Sequence, residues 1–427
     1  MTSADVAAAA LPAEARAGAG AGAARQGRAD LRVLTLAALL FAALTAVAYV
    51  CTISWTHAIP HDATSLLVGR DFLNFWMYGR AAWLPDPGRF YDPRLYNDAL
   101  SALLGPDYPG QNWSYPPSVV LLAAPFGRLG YIPALLAWTV LGVGLFVWIA
   151  RRRVGDYRLL IPILLSPAAI FCLMSGQSSF VTVAMLLTIF ACYERRPTLA
   201  GVLIGLLSLK PQLGLLFPVM LLAAGRWRVF AVAAATTAAI VALTAALFGP
   251  QVWIDFVLKG LPVQNLVLAD PERVATPFYL TIFMNVRGAD LSYATAMAVQ
   301  LCFSAFAVGA VFYAFRFRAH ADPRLLAGLF FACTICGGPY LLAYDALAAT
   351  CVAVMLLATG GLGALGATLA KLMYWLPLIQ IGLGQFHLPG PALIAPAFAA
   401  FLLLRLVAAG DGKGAAAPPA GEAIPAS

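Results

Sequence analysis

Long apolar runs alternate with short polar segments over most of the chain. A helix needs about 20 predominantly apolar residues to cross a bilayer, and several of the runs reach that length. The pattern predicts an all-α polytopic membrane protein, a bundle of about 10–13 transmembrane or re-entrant helices. The predicted spans cover residues 31–55, 131–150, 159–174, 179–193, 229–248, 293–315, 325–335, 341–358, about 366–384 and about 391–409.

The two ends of the chain depart from this pattern. Residues 1–30 are rich in Ala and Gly, and residues 410–427 are rich in Pro, Gly and Ala. Such compositions do not bury a core, so we expect two disordered cytoplasmic tails around one transmembrane domain of residues 31–409. Two polar loops are predicted outside the membrane, at about 57–115 and 250–293, and the first is long enough to contain helices.

Arginine clusters mark one end of alternate spans. Arg151, Arg152 and Arg153 follow the second span, and Arg316 and Arg318 follow a later one. Because cytoplasmic loops carry an excess of Lys and Arg, these ends and the N-terminus are expected in the cytoplasm and both long polar loops outside. The net charge of +8 is therefore a topology signal and does not indicate a nucleic-acid-binding protein.

The apolar segment between Arg196 and Arg226 predicts a hairpin. As one helix it would be about 44 Å long, well beyond the hydrocarbon core of about 30 Å, and Pro211 and Pro218 interrupt it. Two short helices with both ends in the cytoplasm would place Lys210 at a buried apex. A lysine there costs about 2.5–3.5 kcal/mol, so it needs a partner. Two interpretations stay open: Lys210 pairs with a carboxylate, or it binds a ligand phosphate.

Composition supports the membrane assignment. The chain is 62% hydrophobic and 11% charged, with a mean hydropathy of +0.83, whereas soluble domains carry about 25% charged residues. The seven cysteines lie in or beside apolar segments and are expected to be buried small hydrophobic residues. The four histidines have no metal-binding spacing and the loops contain no Asp-x-Asp pair, so we expect no metal site.

The first polar loop contains the strongest candidate for chemistry. Asp71 opens a segment of aromatic residues with helical spacing, so its carboxylate is either a helix N-cap or a general base. Asn74, Tyr78 and either Arg70 or Arg80 would lie within one or two turns of it. Aromatic faces combined with hydrogen-bonding groups suit the binding of a sugar ring.

Two further polar residues lie at predicted outer helix ends. Gln177 follows Gly176 and could either bind a sugar hydroxyl or cap the next helix. Asp345, next to Tyr344, lies about one turn inside its span. It could either pair with an arginine of the loops or line a cavity.

The order of these features resembles glycosyltransferase family 87, the integral-membrane GT-C type of enzyme. The resemblance covers about residues 65–230, and the Tyr344-Asp345 pair extends it. It rests on four stretches: Asp71-Phe72 with Tyr78 and Ala81-Ala82; Leu95-Tyr96 with Trp113-Ser114-Tyr115-Pro116-Pro117; Gly176-Gln177; and Ala200-Gly201 through Leu209-Lys210-Pro211 to Gly225-Arg226-Trp227-Arg228.

The resemblance implies a GT-C-like bundle and an enzyme that moves mannose or a similar sugar from a polyprenyl-phosphate donor to a lipid or glycan acceptor. It implies inversion at the external face of a bacterial inner membrane, without a cofactor and without an obligatory metal. Asp71 would be the base. The donor phosphate would bind to Lys210, Arg70 and Arg80. The sugar and acceptor would contact Asn74, Tyr78, Tyr115, Gln177, Tyr344 and Asp345.

A transporter or flippase of a lipid-linked sugar is the main alternative, since such proteins also use broken helices and buried cations. The sequence has no evident inverted repeat, and transport does not require so long a first loop. A non-catalytic scaffold would explain the hydropathy but not the polar aromatic residues gathered at one predicted face.

Overall fold

The chain was analysed as a computed structural model that describes residues 13–57, 59–112, 115–270 and 277–414. Throughout these ranges the regular elements are helices, which confirms the predicted all-α class. The first ten are α1 Ala13–Thr52, α2 Phe72–Ala81, α3 Pro93–Leu104, α4 Ser118–Ala123, α5 Tyr131–Arg153, α6 Leu160–Leu164, α7 Pro167–Ser175, α8 Ser179–Cys192, α9 Pro197–Leu206 and α10 Phe217–Ala223. The others are α11 Trp227–Phe248, α12 Gln251–Asp255, α13 Leu261–Ala269, α14 Ile282–Gly288, α15 Tyr293–Phe317, α16 Pro323–Gly337, α17 Leu347–Thr359, α18 Gly363–Gly384 and α19 Ile394–Gly414.

Six helices in the described ranges are long and apolar enough to cross a membrane. The pair α6 and α7, bent by 62° at a short break, would make a seventh span. Five shorter apolar helices complete the bundle, and their length places them below a full crossing. The protein is therefore a multi-pass membrane protein, as predicted. The count of about 10–13 spanning or re-entrant helices depends on the short ones and stays a prediction.

The predicted tails need correction where the structure describes them. Helix α1 begins at Ala13, so residues 13–30 are helical where disorder was expected. Alanine has the highest helix propensity, and the helix also gains tertiary contacts there. Lys371 Nζ donates to Asp30 Oδ1 over 2.8 Å. At the other end α19 continues to Gly414. Residues 1–12 and 415–427 of the predicted tails lie outside the described residues.

The segment between Arg196 and Arg226 is a hairpin, as its length predicted. Arg226 pairs with Glu194, and Arg228 Nη2 donates to Thr198 Oγ1 over 3.4 Å, so both ends of the segment lie together. Arg226 also lies over the ring of Tyr193, which contacts Phe315. We call this end of the bundle, where the arginine clusters gather, the basic end.

The opposite end, which we call the loop end, carries the two long polar segments. The first contains α2, α3 and a short 3₁₀ helix, Arg89–Tyr91, in agreement with the predicted helical loop. Helix α2 packs so closely on α4 that a Cβ at Gly79 would lie 2.3 Å from the Ala123 carbonyl oxygen. Trp76 Nε1 donates to the Leu129 carbonyl over 3.0 Å. These contacts hold the residues at the start of α2 against the membrane-spanning bundle.

Five of the seven cysteines are buried, as predicted. Cys51 and Cys302 are exposed, which corrects the expectation for these two. Both lie on long apolar helices, α1 and α15, whose outer faces are not covered by the rest of the chain. A small apolar side chain suits a face in contact with lipid as well as a protein core.

Candidate active site

A cavity of about 580 Å³ lies at the loop end, where the first loop, the start of α8, the hairpin apex and the segment before α17 meet. Its volume falls in the range typical of small-ligand sites. The candidate residues that line it are Asp71, Asn74, Tyr115, Gln177, Lys210, Tyr344 and Asp345. The fold thus brings together seven residues from segments far apart in the sequence.

Two hydrogen bonds hold the Asp71 side chain, and both are made to the same carboxylate oxygen. Oδ2 accepts hydrogen bonds from Gln177 Nε2 over 2.8 Å and from Tyr344 Oη over 2.9 Å. Among the described residues no donor contacts Oδ1. Asp71 occupies the N-cap position of α2, yet its side chain accepts no hydrogen bond from that helix. The helix-cap interpretation is therefore wrong.

Gln177 links the first loop to the second half of the chain, because its Nε2 also donates to Tyr344 Oη over 3.0 Å. It follows Gly176, whose left-handed backbone (φ 60°) ends α7. A Cβ at position 176 would lie 2.6 Å from the Cβ of Phe72, so only glycine permits this approach to α2. Gln177 Oε1 accepts from Tyr115 Oη over 3.1 Å and, more weakly, from the Ser178 amide over 3.3 Å. The side chain therefore orients Asp71 and Tyr115 and also contacts the start of α8.

Lys210 forms a buried ion pair with Asp345. The Nζ to Oδ1 distance is 2.8 Å, and each side chain is 2% exposed. Nζ also lies 4.8 Å from the centre of the Tyr344 ring. Asp345 Oδ2 accepts from the Leu342 amide over 3.2 Å, so both carboxylate oxygens are engaged. Of the two alternatives for Asp345, pairing with an arginine of the loops is wrong, since the hairpin lysine is its partner. Both residues nevertheless line the cavity.

Asn74 and Tyr78 have different positions relative to the cavity. Asn74 lines it, and its Oδ1 accepts from Tyr96 Oη. Tyr78 is fully buried and does not line it. Tyr78 Oη accepts from the Tyr115 amide over 2.6 Å and donates to the Tyr115 carbonyl over 3.3 Å. Burial raises the pKa of Tyr78 well above its usual value, so the hydroxyl stays neutral. The sugar-contacting role expected for Tyr78 is thus corrected to support of Tyr115.

The structure does not bring the two candidate arginines, Arg70 and Arg80, into the cavity. Arg70 Nε donates to Asp62 Oδ2 over 2.6 Å, and its backbone adopts a left-handed φ of 30°. Arg80 lies nine positions after Asp71, where its exposed guanidinium covers the ring of Trp76 at 4.8 Å. The phosphate-binding positions expected for Arg70 and Arg80 are therefore wrong. The spacing from Asp71 did not reveal which face of α2 Arg80 occupies.

Several cavity residues were missed by the sequence analysis. Gln111, Gln212, Gln264 and Tyr340 line the cavity together with the residues named above. Single amides and phenols in loops have no characteristic spacing, so the sequence carried no signal for them. Trp113 and Ser114, which belong to the resemblance, lie outside the described residues.

The arrangement defines the chemistry that the cavity can perform. A carboxylate with one oxygen anchored and the other without a donor can accept a proton from a bound hydroxyl. Lys210 is the one cation among the described residues lining the cavity. Amide and phenol groups surround them, as in sites that bind sugar hydroxyls.

The fold and the site together define a multi-pass membrane protein with a polar cavity at one end of its helical bundle. The model of glycosyltransferase family 87 matches residues 113–343, just over half of the chain. The chain belongs to glycosyltransferase family 87. Searches of curated proteins and of solved structures found no match. Family membership makes the protein a transferase of sugars, with a sugar donor and an acceptor, and so favours transfer over transport.

Proposed function

We propose that the protein transfers a sugar, mannose or a similar one, from a polyprenyl-phosphate donor to a lipid or glycan acceptor, with inversion at the anomeric carbon. The observation that carries this proposal is the anchoring of Asp71 Oδ2 by Gln177 and Tyr344, while Oδ1 of this cavity-lining side chain has no donor among the described residues. Such a carboxylate suits the role of acceptor base.

The reaction would proceed as one displacement. Asp71 takes the proton of the acceptor hydroxyl. At the same time the oxygen of that hydroxyl attacks the anomeric carbon from the face opposite the phosphate. The bond between the anomeric carbon and the phosphate oxygen breaks, and polyprenyl phosphate leaves with the electron pair. Lys210, still paired with Asp345, places a positive charge beside the cavity as negative charge grows on the leaving phosphate. A phosphate leaves as a stable anion, so the proposal requires no metal.

Sugar contacts are proposed for the polar residues of the cavity wall. Asn74, Tyr115, Gln177 and Tyr344 offer amide and phenol groups to the sugar and the acceptor. The Asp345 carboxylate is engaged by Lys210 and by the Leu342 amide, so its proposed part is to hold Lys210. The aromatic ring of Tyr115 offers an apolar face to a sugar ring.

We also propose that the cavity opens at the external face of a bacterial inner membrane, with the N-terminus in the cytoplasm. The gathering of arginines at the basic end supports this orientation. A cysteine introduced at Asp98, in α3, should react in intact cells with a maleimide that cannot cross the membrane. Labelling only after lysis would contradict the orientation.

The transfer itself is tested with purified protein, a radiolabelled polyprenyl-phosphate sugar and a membrane-lipid extract as the acceptor source. The wild-type protein should move label to a new product, and Asp71→Asn should abolish this. Asp92→Asn is the matched control, because Asp92 caps α3 outside the cavity and asparagine caps equally well. Transfer at the wild-type rate by Asp71→Asn, or movement of intact donor lipid without transfer, would contradict the proposal.

A further inference from the structure

A second cavity opens between the hairpin and α11. Its volume is about 330 Å³, and residues from α9, the hairpin apex, α10 and α11 line it. The lining is largely apolar and includes Ile204, Leu207, Leu215, Pro218, Leu221 and Ala234. We call this cavity the hairpin groove. Leu215 and Ala234 are exposed on the side of the bundle, so the groove is open along an apolar helix surface.

The hairpin groove adjoins the main cavity. Pro211 and Leu215 line both of them. Lys210, the residue before Pro211, lines the main cavity beside this junction. A molecule with an apolar chain and an anionic head could therefore lie with its chain in the groove and its head next to the lysine.

A third pocket offers a different route but is too narrow. It also borders Asp71, lies among Phe75, Val119 and Trp138, and has a volume of about 30 Å³. That space holds about one or two water molecules, whereas a branched hydrocarbon chain needs far more. The hairpin groove is eleven times larger, since the two volumes are about 330 and 30 Å³.

We infer that the hairpin groove binds the hydrocarbon chain of the donor lipid, with the phosphate at the junction beside Lys210 and the sugar toward Asp71. This inference rests on the proposed function. Lipid tails are as apolar as the groove, so burial in it adds little driving force by itself. Packing in the groove would instead fix the direction of the chain and align the anomeric carbon with the base.

The helix contacts around the groove favour a preformed shape. Gly201 and Gly205 bring α9 close against α11. A Cβ at position 201 would lie 2.6 Å from the Cβ of Val232, and a Cβ at position 205 would lie 2.5 Å from the Cβ of Thr236. Small residues at such four-residue spacing let membrane helices approach closely. The contact between α9 and α11 is therefore closed, and the open space of the groove lies beside α10.

Filling the groove should make transfer depend on chain length. Ala234→Trp places a large side chain in the groove, while Ala235→Trp, on the same helix and outside the groove lining, is the matched control. Each full-length variant is assayed with two donors that carry the same sugar, one on a long polyprenyl chain and one on a chain of two isoprene units. For Ala234→Trp we expect KM for the long-chain donor to rise by roughly tenfold or more, with kcat on the short-chain donor within about twofold of wild type.

The outcomes distinguish an effect on binding of the donor chain in the groove from a loss of sugar transfer. Retained turnover of the short-chain donor shows that the variant is folded, and Thr237→Leu, a smaller filling substitution in the same groove, serves if Ala234→Trp fails to fold. Equal effects on both donors, or equal effects of Ala234→Trp and Ala235→Trp, would overturn the inference and leave the proposed function intact. A wild-type protein that transfers from neither donor would overturn both.

Discussion

Two aspartates line the same cavity and differ in what their neighbours leave available. Asp71 has one oxygen bound by two neutral donors and the other without a donor among the described residues. Asp345 has both oxygens engaged, and its side chain is 2% exposed beside a lysine. The comparison shows that the buried carboxylate with a cation is a structural partner, while the anchored and accessible one is suited to proton transfer.

The two aspartates are joined through neighbouring residues of the chain. Tyr344 donates to Asp71, and the next residue, Asp345, binds Lys210. The ion pair therefore fixes the backbone from which Tyr344 reaches the base. Substitution of Asp71 is expected to lower turnover, whereas substitution of Asp345 is expected to lower stability first.

The largest expected effect on stability is the loss of the buried cation. Lys210→Met should lower the free energy of unfolding by about 3–5 kcal/mol, because the charge of Asp345 would remain buried without a cation to balance it. The measurement is unfolding in a graded series of SDS in mixed micelles. Lys371→Met is the control, because its pair with Asp30 is 40% exposed on the lysine side and should contribute at most about 1 kcal/mol.

The double variant Lys210→Met with Asp345→Leu sharpens that comparison. With both charges removed, no unpaired charge remains in the core. The double variant should therefore regain most of the free energy of unfolding that Lys210→Met loses. A double variant as unstable as Lys210→Met alone would contradict the view that the pair is mainly structural.

A smaller effect is expected from the donors on Asp71. Tyr344→Phe and Gln177→Leu each remove one hydrogen bond to the carboxylate, and such bonds to charged groups are worth about 1.5–3 kcal/mol. Each should lower kcat by roughly tenfold to a hundredfold, with less change in stability than Lys210→Met. Steady-state transfer kinetics provide the test. Unchanged kcat in both variants would show that the anchoring of Oδ2 has no part in turnover.

The smallest effect is expected at Arg80. Arg80→Gln should change kcat/KM by less than about twofold, because the guanidinium lies over Trp76 and away from the cavity. A large rise in the donor KM would place Arg80 at the phosphate and contradict the observed geometry.

Much of the fold followed from the sequence because the bilayer imposes simple rules. The length of apolar runs and the arginine clusters predicted the long spans, and length with two prolines predicted the hairpin and its buried lysine. The helical start of α1 was missed because an Ala-rich segment was judged only by its lack of a core. The high helix propensity of alanine and the ion pair between Asp30 and Lys371 favour the helical state of this segment.

The candidate site was predictable in part. Lys210 was a candidate because a charged group at membrane depth is costly, and Asp345 because it lies inside a span. Asp71 was a candidate because it opens an aromatic segment of the first loop, and Gln177 because it lies at an outer helix end. The structure brings all four to one cavity. The face on which Arg80 lies was not predictable, because it depends on how α2 packs on α4. The partner of Asp345 also depended on a contact across 135 residues, which no local pattern encodes.

The central claim is that Asp71 acts as the base, and single-turnover transfer by Asp71→Asn tests it most directly. Asparagine keeps the size of the side chain and can still accept hydrogen bonds, but it cannot take the proton. We predict that the rate of sugar transfer from prebound donor falls by at least about a hundredfold while the donor Kd stays within about threefold. A transfer rate near that of the wild-type protein, or a loss explained entirely by weaker donor binding, would contradict the claim.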